Sequence, residues 1–183
     1  MIDKPPEYPG QQAIAATAAH VVVPYTVEKL REQTMTAVME WGGDHTFYAL
    51  DPTDDYAYAR VLMDWWERHQ DLVVIEQDIV PAPGMIDALL ACAEAWCGYP
   101  YHVGEGRYTY GLGLCKIAAT VMARHPALGM LAMRDHRGRI CAQPWPAVNE
   151  ALERQMTRCG YTMHHHEGVP VHLHYPIEQA RGD

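Results

Sequence analysis

The sequence predicts an α/β fold, a single domain built on a mixed sheet with flanking helices. Three observations lead there. Apolar, β-branched runs of strand length occur at 20–26 and 72–79, with a shorter one at 46–50, and turn residues follow them. Segments of helical periodicity separate these runs, and strand–helix repeated three times is the pattern of parallel strands with crossover helices. The 183 residues are enough for one domain with a real core and too few for two comfortable ones.

Each element follows in order. Residues 1–19 begin Pro-rich and polar and read as a loose arm. Residues 20–26 (His-Val-Val-Val-Pro-Tyr-Thr) form a buried strand stopped by Pro24. Residues 27–40 form a helix with Thr26 as N-cap and Gly42-Gly43 just past its end. Strand 46–50 ends at Asp51-Pro52, and Asp54 or Asp55 caps a helix with Tyr58, Val61, Leu62 and Trp65 on one face. After strand 72–79, Pro81 and Pro83 lead into a helix that places Ile86, Leu89, Leu90, Ala93 and Trp96 on one side.

The second half reads differently. Residues 98–103 suggest a strand and 104–110 a Gly/Tyr loop; 111–114 then leads into a helix ending near His125-Pro126. A long loop or small hairpin covers 127–145. An amphipathic helix spans 146–159 through Val148, Ala151, Leu152, Gln155 and Met156, and Gly160 closes it. Extended chain at 162–175 carries five histidines. The organisation expected is an arm (1–19), an α/β half (20–97), a second half of the same domain (98–176) and a tail (177–183).

A formal net charge of −9 argues against general nucleic-acid binding through a basic surface. Arg134, Arg137 and Arg139 are a short local exception around a Gly-containing loop. Five cysteines, with Cys92 and Cys97 five apart on an apparent helix, read as buried reduced thiols in a cytoplasmic protein. The apolar stretch 13–23 follows Asp3, Pro5, Pro6, Glu7 and Pro9, not the basic start a signal peptide needs, and no apolar run is long enough to span a membrane.

The chemistry concentrates at Val73-Val-Ile-Glu-Gln-Asp-Ile79. Read as strand, Glu76 and Asp78 point one way and Gln77 the other. Two adjacent carboxylates repel unless water or a cation relieves them. Tyr25, Thr26 and Asp51 lie with them at the carboxyl ends of strands, where open α/β sheets bind ligands. His164 and His166 share one face of extended chain, and His172 and His174 share another; a neutral imidazole beside the two acids completes a divalent-metal site. Gly111 and Gly113 offer close backbone approach to a sugar or phosphate, or simply a turn. Asn149 and Glu150 open the last helix, a good place for a general base and equally for a dipole-compensating acid.

Taken together, these pieces resemble the GT-A class of nucleotide-sugar glycosyltransferases, especially small family-two-like members of phages and actinobacteria. The matching segments are His20-Val-Val-Val-Pro-Tyr-Thr26, Tyr48-Ala-Leu-Asp51, Ala59-Arg60, Val73–Ile79, Trp96-Cys-Gly-Tyr-Pro-Tyr101, Gly111-Leu-Gly-Leu114, His164-His-His and His172-Leu-His-Tyr175. They run over about residues 20–176, and their order carries the likeness. The resemblance implies a compact GT-A-like fold and transfer of a sugar from a nucleotide-diphosphate sugar to a hydroxyl. It implies Mn²⁺ or Mg²⁺ held at a DxD-like triplet, here Glu76-Gln77-Asp78, with His172 or His174 joining. Pro24, Tyr25, Thr26, Asp51, Arg60, Gln77, Gly111 and Gly113 then belong to the donor site, and Glu150 or Asn149 to the base position. A phage-encoded member would act in the host cytoplasm, with a hydroxylated DNA base as one acceptor; a saccharide or small molecule is the other. Two rivals stand beside this: a zinc hydrolase built on the His-rich segment, and a non-catalytic nucleotide-sugar-binding module.

Overall fold

The structure is a computed structural model that describes residues 19–54, 56–127 and 145–173. Its centre is a six-stranded mixed sheet in the order β2-β1-β3-β8-β5-β9. β1 (His20–Tyr25) pairs in parallel with β2 (His45–Ala49) and with β3 (Leu72–Ile75). β8 (Leu114–Ile117) runs antiparallel to β3 and to β5 (Trp96–Gly98), and β9 (His164–His165) lies parallel to β5 at the edge. Two small ladders complete it: β4 (Ile79–Val80) with β10 (Val171–His172), and β6 (Tyr101–His102) with β7 (Tyr108–Thr109).

Side-chain alternation divides the core between the two sheet faces. Val22, Leu72, Val74, Cys115 and Ile117 face one way and pack on α2 (Ala57–Arg68), α4 (Ala119–Arg124) and α5 (Trp145–Arg158) through Leu62, Trp65, Met122, Val148 and Met156. Val21, Val23, Val73, Ile75 and Leu114 face the other, against α1 (Glu32–Trp41) and α3 (Met85–Ala91) through Val38, Ile86 and Leu89. Strands buried on both faces explain the unbroken apolar runs. The expected α/β class and helix-flanked mixed sheet are therefore present, and β3 with β8 joins the two halves of the chain into one sheet.

Several local expectations change. The third strand stops at Ile75, not at residue 79. Glu76 N–H still donates to the Gly113 carbonyl, but Ile79 N–H then closes a turn onto the Glu76 carbonyl, freeing β4 to pair with β10. α1 starts at Glu32, not residue 27, because Lys29 and Leu30 N–H groups turn back onto the Thr26 carbonyl and Arg31 N–H binds the Gln77 carbonyl. Thr26 is thus no cap, whereas Gly42 at φ 73° ends the helix as expected. α3 ends at Ala91; Trp96 and Cys97 belong to β5, where pairing with both β8 and β9 outweighs the helical pattern. The segment after Gly113 is strand β8 before it is helix α4, because Leu114–Ile117 is buried on both faces between β3 and β5.

Candidate functional site

Parallel pairing brings the ends of β1, β2 and β3 to one edge of the sheet, and Leu50 N–H donates to the Tyr25 carbonyl there (2.7 Å). Glu76 and Asp78 stand at this edge in the turn after β3. Their convergence is thus a property of the turn, not of strand alternation. Gln77 does point away, and it is buried: its side-chain oxygen accepts from Thr26 N–H at 2.8 Å. Gln77 therefore latches the loop after β1 to the acid turn.

The third member arrives from far along the chain. His172 pairs with Ile79 across β10 and β4, and Leu173 N–H donates to the Asp78 carbonyl. That register sets His172 Nε2 3.3 Å from Asp78 Oδ2. On the other side of the ring, Nδ1 lies against the His102 carbonyl, which can only accept, so Nδ1 carries the proton. In the neutral ring Nε2 then directs a lone pair at a carboxylate oxygen. Such a pairing calls for a proton or a cation between the two atoms.

Electrostatics reflects the crowding. Burial and then the Asp78 charge push the Glu76 carboxyl from its ordinary 4.5 up to about 8, with His172 pulling the other way. Burial opposes charging of His172, yet its bonds to Asp78 and to the His102 carbonyl and the charges of Asp78 and Glu76 outweigh this and raise it. Tyr58 and Tyr101 line the same site. Burial first, then Glu76, drives both phenols up, so they stay protonated donors. The Tyr101 ring also meets His172 edge-on at 5.5 Å. Sequence reading placed Tyr58 on a core stripe and missed it here; its helical face gave no signal of the acid turn.

The remaining candidates disperse. Pro24 is buried, and Tyr25 and Thr26 are half-buried, at the end of β1. Asp51 is exposed and accepts from Thr53 N–H and Oγ1 (2.8 and 2.7 Å), which hold its carboxyl below the usual range. Arg60 is exposed and paired with Asp54. The room beside Gly111 and Gly113 is filled from within: a Cβ would stand 2.3 Å from the Asn149 amide or 2.4 Å from the Tyr101 ring. Asn149 Oδ1 accepts from Leu112 N–H at 2.9 Å, while Glu150 is exposed on α5. His174, Arg134, Arg137 and Arg139 lie outside the described residues. A separate groove of about 770 Å³ between α1 and residues 80–87 carries Glu32, Glu40 and Asp87, a lining that repels phosphate.

Among the described residues no helix is long and apolar enough to cross a membrane. No protein-family profile matches the chain, and no curated protein does. Among solved structures, the chain is similar to A197 from STIV, with 11% identity and a TM-score of 0.47 over 59% of this chain and 68% of that one. It is also similar to a protein described as a glucose-1-phosphate thymidylyltransferase from Bacillus anthracis in complex with sucrose. There the identity is 10% and the TM-score 0.46, over 87% of this chain and 91% of that one. At these identities the likeness is one of chain path alone.

Proposed function

We propose that the protein is a metal-dependent glycosyltransferase that moves a sugar from a nucleotide-diphosphate sugar to a hydroxyl acceptor with inversion. The observation that supports this reading is the convergence of Glu76, Asp78 and His172 at the carboxyl ends of β1 and β3, the edge where open α/β sheets take ligands.

The residues fit a Mn²⁺ or Mg²⁺ ion. Two carboxylates and one imidazole nitrogen are a suitable donor set, and Nε2 facing Asp78 Oδ2 is an arrangement a cation would relieve. When bound, such an ion supplies positive charge against the diphosphate as it departs. The chain's own contribution is positional. The His102 carbonyl fixes the His172 tautomer, and the β4–β10 pairing fixes the ring. Tyr25, Thr26 and Asp51 frame the nucleoside side, and Gln77 holds that loop in register with the acids. Asn149 is occupied in orienting the 111–113 segment and an amide takes no proton, so Glu150 is the base we propose for the acceptor hydroxyl. The acceptor is a saccharide or small molecule or, for a phage-encoded chain, a hydroxylated DNA base contacted through Arg134, Arg137 and Arg139.

Thermal-shift titration with UDP- and GDP-sugars, with and without Mn²⁺, tests the reading. Mn²⁺-dependent stabilisation by one donor, lost in Asp78→Ala, is expected. Donor binding that is unchanged in Asp78→Ala overturns the metal site, and binding with neither donor hydrolysis nor transfer overturns the enzyme.

A further inference from the structure

The histidine-rich segment serves two places. While His172 joins the acid turn, His164 and His166 project from the sheet edge towards Cys92, the residue that ends α3. One ligand atom from each of Cys92, His164 and His166 lies within 4.8 Å of the others. Neither histidine is placed by chance. β9 pairs in parallel with β5, setting His164 opposite Cys97 and His165 opposite Gly98, and His166 N–H donates to the Gly98 carbonyl (3.0 Å). Alternation turns His164 and His166 to the same side, their rings 5.0 Å apart, and sends His165 away to stack on Tyr110 at 3.7 Å.

His166 carries the second clue. Its ring stacks on Tyr99, and its Nε2 is buried without a hydrogen-bond partner in the described structure. A buried ring nitrogen with no partner costs free energy unless something binds it.

We propose that Cys92, His164 and His166 bind a thiophilic divalent cation of the zinc class, with the fourth position open, and that this ion fastens edge strand β9 to the end of α3. One sulfur and two imidazole nitrogens are a zinc-type set, unlike the oxygen-rich set at Glu76 and Asp78. Ligand atoms on a tetrahedral zinc stand about 3.3–3.6 Å apart, so closure needs about 1 Å of side-chain movement. His164 is exposed and free to supply it. Lys116 is buried, and its ammonium donates to the Cys92 carbonyl, a fixed positive charge that opposes a dication and so limits affinity. The site is independent of the glycosyltransferase reading. Its mechanical effect is to anchor the segment whose continuation carries His172.

The test uses the full chain without an added affinity tag, stripped of metal and titrated with Zn²⁺ against a chromophoric chelator, then with Co²⁺. In Asp78→Ala, where the acid turn does not compete for the ion, one Zn²⁺ per chain is expected, and the Co²⁺ form should show a sulfur-to-metal charge-transfer band with intense tetrahedral d–d bands. Cys92→Ser should abolish the charge-transfer band. His164→Asn and His166→Asn should each weaken Zn²⁺ by about tenfold or more. His165→Asn should leave both readouts unchanged, and the charge-transfer band should be the same with Asp78 present or with Asp78→Ala. Equal loss in His165→Asn would mean unspecific capture by a histidine run and overturns the proposal; so does a charge-transfer band that survives Cys92→Ser. Should Cys92→Ser fail to fold, protection of Cys92 from alkylation by Zn²⁺ in the unaltered chain, lost in His164→Asn, decides instead, and absence of protection overturns the site.

Discussion

The acid turn and the sheet-edge cluster are built from the same short histidine-rich stretch, yet they are chemically opposite. The turn after β3 gathers two carboxylates and His172, a hard donor set beside two buried phenols. The edge gathers Cys92, His164 and His166, a softer set beside a buried lysine. The turn depends on an antiparallel contact, β4 with β10, and the edge on a parallel one, β5 with β9. Spacing along the chain therefore does not assign a histidine to a partner; the strand that each residue pairs with does.

The largest expected effect is a crossed loss. Asp78→Ala should abolish Mn²⁺-dependent donor binding while the Co²⁺ spectrum of the edge cluster is retained, and Cys92→Ser should do the reverse. Loss of both properties in either variant would merge the two regions into one site and break the comparison.

The next effect separates the regions by pH. In chelator-treated protein, Glu76 folds with its carboxyl raised from 4.5 to about 8. The stability that its protonated form contributes is complete below pH 4.5 and is lost as pH rises to about 8. Glu76→Gln should remove that slope and be the more stable protein above pH 8, by about 2–4 kcal/mol. Urea denaturation of both proteins at pH 5 and pH 8.5 measures it. Parallel slopes would show that the turn is better solvated than its geometry indicates.

Two smaller effects probe how the acid turn is held. Gly113→Ala would drive a Cβ to 2.4 Å from the Tyr101 ring and should cost about 1–3 kcal/mol, read as a lower denaturation midpoint, with weaker Mn²⁺ binding because Tyr101 touches His172. Gln77→Ala removes the acceptor for Thr26 N–H and should cost about 1–2 kcal/mol, leaving the Zn²⁺ affinity of the edge cluster unchanged. A larger effect of Gln77→Ala on Zn²⁺ than on Mn²⁺ would invert the assignment of the latch.

Local pattern made part of this legible. The runs at β1 and β3, the stripe on α2 and Gly42 closing α1 are written in residue type and period, because burial on two faces and left-handed caps leave little choice of side chain. β8 was not legible. Leu114-Cys-Lys-Ile carries a buried lysine, and a short run ahead of a helical pattern reads as that helix's first turn. Cys92 and Cys97 were misread for the mirror-image reason: a helical period continued past Ala91 on paper, while in the fold β5 claims the chain.

The sequence by itself determined the α/β class, the three parallel strands, the acid pair at the end of the third, and a histidine supply near the C-terminal end. Those are properties of periodicity and of residue chemistry, which act over a few neighbours. Only the tertiary structure decided that Glu76 and Asp78 meet in a turn, that His172 reaches them with its Nε2 towards Asp78, and that His164 and His166 turn instead to Cys92. Those depend on which strands pair and in what register, and a shift of one residue would send every one of these rings to the opposite face.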